Sequence, residues 1–275
     1  MSRPLHIACL QTRAMPSFDA ALGECLPLAE QAISQGAQMV FLPEYCGGLM
    51  TDGPAVTPPC APADAHPFLQ AMQAFAAERG IWLNLGSIAV DGPDGRILNR
   101  GFMIGPEGQI VGQYDKIHLF DIQLSETEVF RESAHVSPGE CAVIHDTPLG
   151  LIGHTICYDL RFAHLYRALA QGGADILCCP AAFTAKTGAA HWHVLNRARA
   201  IETTRFVVSA GMTGPVPGGG ETYGHSLIVD PWGKVLADAG DAPGVISAVI
   251  DLDQVAEVQG RIPSLMNTAE FAPVS

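Results

Sequence analysis

Cys157 closes the apolar run Leu149-Gly150-Leu151-Ile152-Gly153-His154-Thr155-Ile156 and is followed by Tyr158-Asp159-Leu160-Arg161-Phe162. A buried strand that runs into a turn and then a helix, Phe162 to Gln171, presents this residue at the strand's C-terminal tip, where open α/β sheets place their ligands. A cysteine there is a candidate nucleophile. Two more apolar segments end on ionisable groups: Met39-Val40-Phe41-Leu42-Pro43-Glu44, and Gln109-Ile110-Val111-Gly112-Gln113-Tyr114-Asp115-Lys116. A carboxylate, an amine and a thiol at three strand ends are the parts that covalent acyl transfer needs.

A free thiol is mostly protonated at neutral pH, so Cys157 requires a base or a cationic field before it attacks a carbonyl. Glu44 is placed to take the proton and later to activate water. Lys116 supplies positive charge and, with the backbone N–H of Tyr158, forms an oxyanion hole in which each donor is worth roughly 3 kcal/mol. Singly, Glu44 reads as a surface carboxylate and Lys116 as a solvated strand end. Their joint occurrence with Cys157 reverses that reading. For substrate contact the candidates are Tyr45, beside Glu44; Arg161, four residues past the nucleophile and equally readable as an ion-pair former; and the loop from Phe183 to Gly188 that carries Lys186, because loops at strand ends carry selectivity.

Other candidates are set aside. His154 lies three residues before Cys157, and odd spacing in a strand puts two side chains on opposite faces, so it reads as a hydrogen-bonded core residue. His191 and His193 stand two apart on a predicted helix and lack the shared face that metal ligands at i, i+4 use. Gly218-Gly219-Gly220 has no Lys-Ser/Thr and no strand-loop-helix context, and is expected to be a mobile loop, not a phosphate cradle. Trp192 reads as packing. The eight cysteines show no CxxC pair and, with no export signal, are expected to be thiols, several of them core filler. The expectation is therefore a site without metal or cofactor.

These groups must be positioned by a fold, and the chain alternates strand and helix signals. Strands are expected at Leu5 to Leu10, Gln38 to Leu42, Trp82 to Val90, Ile97 to Ile104, Gln109 to Tyr114, Leu149 to Ile156, Asp175 to Cys179, Phe206 to Ala210, His225 to Val229, Lys234 to Asp238 and Gly244 to Ile250. Helices are expected at Phe18 to Ser34, Pro67 to Arg79, Phe162 to Gln171 and Ala189 to Thr204. Hairpins cross Asp91-Gly92-Pro93-Asp94-Gly95 and Asp230-Pro231-Trp232-Gly233. Two mixed sheets with helices outside, an α-β-β-α sandwich in the α/β class, fit this order better than one doubly wound sheet. The 275 residues are 48% hydrophobic, without a linker, so one domain over 1–275 is expected. A net charge of −13 with only 15 Lys and Arg disfavours nucleic acid or an anionic membrane as partner and leaves a small molecule. No signal peptide or bilayer-spanning segment is read, and a cytoplasmic location is expected. The segment 253–275 holds Val255, Val258, Ile262, Leu265 and Met266 with few partners left in the chain, which points to contact with another subunit.

FLPEY around Glu44, YDKIHLFD around Lys116 and GHTICYDLRF around Cys157 resemble, in order and interval, the three signature blocks of the nitrilase-like carbon-nitrogen hydrolase superfamily. FRESAHVSPGE around Glu132, the stretch from Gly172 to Ala210 and that from Tyr223 to Gly240 extend the resemblance over nearly the whole chain, toward the amidase branch of deaminated-glutathione amidases and ω-amidases. The resemblance implies the sandwich fold, an amidase forming a thioester on Cys157, a second glutamate at Glu132 that holds Lys116, and a homodimer or higher homo-oligomer. Its alternatives are a nitrilase or N-carbamoyl amidohydrolase on the same site, or a catalytically silent interaction scaffold. The scaffold would need one of the four positions to be lost, and all four are present.

Overall fold

The computed structural model describes residues 2–53, 55–126 and 129–269. The first sheet is built on β1 (Pro4–Gln11), β2 (Met39–Phe41), β3 (Trp82–Asp91), β4 (Ile97–Ile104) and β5 (Ile110–Asp115). The second takes β6 (Val143–Thr147), β7 (Gly150–His154), β8 (Ile176–Cys178), β9 (Phe206–Ser209), β10 (Leu227–Val229) and β11 (Val235–Asp238), and β12 (Gly244–Asp251) returns to the first. The orders are β12-β1-β2-β3-β4-β5, with the two-residue strand Cys60–Ala61 beside β3, and β6-β7-β8-β9-β10-β11. In each sheet three central parallel strands, β1 to β3 and β7 to β9, carry one antiparallel strand on one side and two on the other. Both expected hairpins, β3 with β4 and β10 with β11, form.

Alternation along the strands creates the layers. Ile7, Cys9, Met39 and Phe41 face Ile152, Ile176, Phe206 and Val208 between the sheets. Ala8, Leu10, Val40 and Leu42 point the other way, onto helices α1 (Phe18–Ser34) and α2 (Pro67–Arg79). Leu177, Cys179 and Val207 do the same under α3 (Ala163–Gln171) and α4 (Ala185–Thr203). The result is the expected α-β-β-α sandwich. Helix α1 begins where Ser17 Oγ accepts the Ala20 N–H at 3.2 Å, an N-cap; α2 ends on Gly80 in the left-handed region at φ 63°.

Several boundaries differ from the sequence reading. Strand β6 was not expected; it pairs antiparallel with β7 as the sheet's edge, and its alternation is broken by His145 and Asp146. Helix α4 starts at Ala185, four residues early, running through Gly188, whose N–H donates to the Thr184 carbonyl at 2.8 Å and closes the first turn. The segment after β12 finds partners within the chain: α5 (Asp253–Arg261) and the turn Pro263–Met266 bury Val255 and Leu265, and Arg167 on α3 donates to the Leu265 and Asn267 carbonyls at 3.0 and 2.9 Å. Ile262 and Met266 stay exposed, and residues 270–275 of that segment lie outside the described residues. The α3 stripe of Leu165, Tyr166 and Leu169 packs on its own sheet. The Gly218–Gly220 loop is tied down: Thr51 donates its N–H to Pro217 O at 2.9 Å and its Oγ1 to Gly219 O at 2.8 Å. Among the described residues no helix is long and apolar enough to cross a membrane.

A polar bridge fixes the two sheets against each other. His154 accepts or donates through Nδ1 to His145 Nε2 at 3.0 Å and through Nε2 reaches Gly86 O at 3.0 Å. Its neighbours must be glycines, since a Cβ on Gly101 would stand 2.4 Å from His154 Nε2 and one on Gly112 2.4 Å from His145 Nδ1. His154 is thus the core residue its odd spacing implied. Burial pushes both imidazoles down, His154 to about 3 and His145 to about 4. Because their folded values lie below the unfolded value, the native state binds fewer protons than the unfolded chain between about pH 4 and 6.5, and stability falls as pH drops through that window. Thermal or urea unfolding at pH 7 and pH 5 should show a loss of roughly 2 kcal/mol per imidazole, and a His145→Gln variant should flatten the dependence; an unchanged slope would show that the pair is protonated in the native state.

Candidate active site

Three strand ends deliver the reactive side chains to one point. Glu44 follows β2, Lys116 follows β5, and Cys157 opens a 3₁₀ turn, Cys157–Arg161, three residues past β7. Cys157 and Tyr45 both hold left-handed backbone, at φ 48° and 52°, a conformation costing non-glycine residues about 1–3 kcal/mol that recurs at functional sites. The turn is held by the Cys157 N–H donating to Pro180 O at 2.9 Å and by the buried Asp159. That carboxylate accepts from the Ile156 N–H at 2.9 Å, the Tyr114 hydroxyl at 2.7 Å and the His118 N–H at 3.0 Å. Asp159 therefore fastens the Cys157 turn to both sides of Lys116.

Lys116 is buried between two carboxylates, with Nζ at 2.8 Å from Glu44 Oε1 and at 3.1 and 2.9 Å from the two oxygens of Glu132. Two buried carboxylates against one amine need further donors. Asn99 Nδ2 supplies both, at 2.9 Å to Glu44 Oε1 and 3.4 Å to Glu132 Oε1. Glu132 also accepts from the Tyr45 hydroxyl at 3.3 Å and the Phe120 N–H at 2.6 Å. Glu44 Oε2 takes the Ala182 N–H at 2.8 Å, and the Glu44 carboxylate lies beside the Cys157 thiol. Burial alone would push the Lys116 amine down; Glu132 and Glu44 override it and hold the amine well above its ordinary value, charged. Burial, then the Glu44 carboxylate, push the Cys157 thiol well above its ordinary value, against an opposing pull from Lys116. At rest the sulfur keeps its proton, so the lysine field alone does not make a thiolate.

These groups sit at the floor of a cavity of about 310 Å³. Tyr45, Phe183 and Lys186 line it, together with Phe120, Phe130 and Val216. Arg161 is not among the lining residues: its guanidinium lies over the rings of Phe183 and Tyr158, at 5.1 and 5.7 Å, and reaches His191 at 3.3 Å. Trp192 is buried with its indole N–H on His225 O at 2.7 Å, as packing. Gly219 and Gly220 form cavity wall with Glu221 and Thr222.

The Carbon-nitrogen hydrolase family model matches residues 6–259. The chain belongs to the carbon-nitrogen hydrolase family. It is similar to the deaminated glutathione amidase of Synechocystis, 39% identical over 96% of this chain and 98% of that one, and to the omega-amidase NIT2 of Xenopus tropicalis, 36% identical over 94% and 92%. The NitFhit protein of C. elegans, 31% identical, superposes with a TM-score of 0.88 over 97% of this hydrolase and 65% of that chain. This chain is thus an amidase of the nitrilase superfamily, hydrolysing C–N bonds.

Sequence reasoning missed Asn99, Asp159 and the Ala182 amide. Asp159 stood inside a signature block without a role. Asn99, between Leu98 and Arg100 on β4, carried no signal, because its importance comes only from lying opposite two carboxylates. Asn99→Ala should lower kcat by about 10- to 100-fold, the worth of charge-assisted hydrogen bonds of roughly 1.5–3 kcal/mol, while iodoacetamide still labels Cys157. Wild-type kcat in that variant would show that the carboxylates hold their places without it.

Proposed function

We propose that the hydrolase cleaves a small, carboxylate-bearing amide, of the deaminated-glutathione or ω-amide kind, through a thioester on Cys157. The observation that carries this reading is Cys157 lining one small cavity together with Glu44, Lys116 and Glu132, where Lys116 ties Glu44 to Glu132. Glu44 removes the thiol proton as sulfur attacks the carbonyl carbon. Lys116 Nζ has three hydrogens, and with the Tyr158 N–H, early in a helical turn where amides lack internal acceptors, it receives the oxyanion. Glu44 returns the proton to the departing nitrogen, and ammonia or an amine leaves. Water, deprotonated by Glu44, then attacks the thioester carbon; the acid departs and the thiol recovers its proton. Glu132, with all five of its hydrogen bonds committed to Lys116, Asn99, Tyr45 and Phe120, positions the lysine.

Names of similar proteins support the substrate class, as does Lys186 at the cavity wall. A cytoplasmic location goes with a nucleophile that must remain a free thiol. The reading also carries one catalytic domain and a homodimer or higher homo-oligomer through the C-terminal segment, where Ile262 and Met266 are exposed.

Cys157→Ala should fold and lose turnover, with stoichiometric iodoacetamide labelling of the parent suppressed by substrate; near-parental activity would end the thioester mechanism. Glu44→Gln should stop acylation and thioester hydrolysis alike, and Lys116→Met should slow alkylation at fixed pH by removing the charge that lowers the thiol. A panel of glutamine, α-ketoglutaramate, deaminated glutathione, simple nitriles and N-carbamoyl amino acids tests the substrate class. Lys186→Ala should raise KM for the carboxylate-bearing amides and leave a neutral amide unaffected. Light scattering should report a dimer or a multiple of it; an active monomer would remove the assembly reading.

A further inference from the structure

Beside α4, and outside the residues that line the catalytic cavity, three side chains from distant parts of the chain converge. His193 Nε2 lies 2.9 Å from Asp238 Oδ2, and His225 Nδ1 lies 2.9 Å from Asp238 Oδ1. The ligand atoms of the three all fall within 4.8 Å of one another, and among the described residues this is the one such convergence of metal-ligating groups. The chemistry above does not use it. We propose that His193, His225 and Asp238 form a site for one divalent transition-metal ion of the zinc type.

The donor set suits that class. Two imidazoles and one carboxylate are the ligands of borderline ions such as Zn²⁺, and they leave a fourth position to water. A hard ion such as Mg²⁺ or Ca²⁺ calls for oxygen ligands that this cluster does not offer. Tetrahedral Zn²⁺ at 2.0–2.2 Å from each ligand separates ligand atoms by about 3.3 Å. The three ligand atoms already lie within 4.8 Å of one another, and adjustments that partly exposed side chains allow bring them to that separation. The side chains of His193, His225 and Asp238 keep 35%, 26% and 33% of their surface in solvent, so an ion and its water reach them. The protons that now face Asp238 move through solvent to the opposite ring nitrogens, leaving both coordinating nitrogens with a lone pair and the net charge of the ligands unchanged.

The ligands are supported as metal ligands are by their surroundings. His225, at φ 53°, is pinned through its N–H to Gly240 O at 2.7 Å and through its carbonyl by the Trp192 indole at 2.7 Å. The Gly240 N–H holds Asp238 Oδ1 at 2.9 Å. The His225 ring stacks on Tyr223, with centroids 4.5 Å apart and 23° between planes. Tyr223 ends the ribbon Glu221–Tyr223, whose Thr222 bridges to Thr184 and whose Glu221 and Thr222 line the catalytic cavity. His193 lies on the same helix as the cavity residue Lys186. An ion here would fasten that ribbon to α4, outside the reaction but behind the wall that contacts substrate.

The spacing that set the histidines aside concerned neighbours on one helix. The partners His225 and Asp238 come instead from the segment just before β10 and the end of β11, which only the fold brings to His193.

The test uses the metal-free full chain carrying Cys157→Ala, so that the active-site thiol does not compete. Calorimetric titration with Zn²⁺ should show saturable binding of one ion per chain and a raised Tm, and Co²⁺ should give a d–d spectrum of nitrogen and oxygen ligation. His193→Ala and the nearly isosteric Asp238→Asn should each weaken Zn²⁺ by at least about 10-fold. With Cys157 restored, these two substitutions should leave metal-free turnover unchanged, since neither residue lines the cavity. Absence of saturable binding, binding unchanged in both variants, or a Co²⁺–thiolate charge-transfer band would overturn the proposal. If His193→Ala fails to fold, Asp238→Asn decides.

Discussion

The buried amine of Lys116 is the constraint on which the catalytic half of the molecule depends. It stands between Glu44 and Glu132 at hydrogen-bond distance of both, and a charge so placed is tolerated only where partners are complete. That requirement reaches through both sheets. Glu44 comes from the first sheet, and its second oxygen is met by the Ala182 amide beyond β8 of the second. Asp159 ties the Cys157 turn of the second sheet to Tyr114 and His118 flanking Lys116. A slip of one sheet over the other by a single residue would leave a buried carboxylate or amine unpaired, at a cost of several kcal/mol. The His154 bridge to Gly86 O, seated between glycines, opposes such a slip with hydrogen bonds that apolar packing alone does not provide.

The same charge count explains why a protonated thiol suits this site. The pocket floor already sets two carboxyl groups against one charged amine, and a resting thiolate would add a further negative charge beside them. Moving the thiol proton onto Glu44 shifts charge from oxygen to sulfur without adding to it. The proton transfer is therefore cheap in a buried setting, whereas loss of the proton to bulk water is opposed by burial and by Glu44 itself. In the proposed mechanism Lys116 then serves the stage at which charge moves to the carbonyl oxygen. Glu132 is held by hydrogen bonds to four residues, and that immobility keeps the amine aimed.

Much of this was legible in the sequence because strand ends are marked by local signals. Apolar runs closing on Glu44, Lys116 and Cys157 identify three tips, and the helix signals between them require the sheets to be covered outside. The boundaries of α1 and α2 follow from Ser17 and Gly80, residues whose chemistry starts and stops helices. The unexpected strand β6 is an edge, where one face meets solvent and polar residues such as Asp146 interrupt the alternation. Asn99 and the partners of His193 were invisible for a different reason. Each acts through a side chain distant in the sequence, and no spacing rule connects positions 44, 99 and 132, or 193, 225 and 238.

The C-terminal segment shows the limit of counting apolar residues. Val255 and Leu265 looked unpartnered because the elements that receive them, α3 and the sheet behind it, had already been credited with a full set of neighbours. A helix buries one stripe and still presents backbone and polar side chains along its flank, and Arg167 uses these to hold the Leu265 and Asn267 carbonyls. The recognition wall follows the same logic. Gly218 approaches Thr51 so closely that a Cβ would stand 1.7 Å from its carbonyl oxygen, so the loop that looked mobile is clamped by the chain it faces. The chemistry rests on strand ends that announce themselves. The far wall of the cavity is built from loops whose order comes from contact, and for that reason the reaction was readable in this chain well before its substrate.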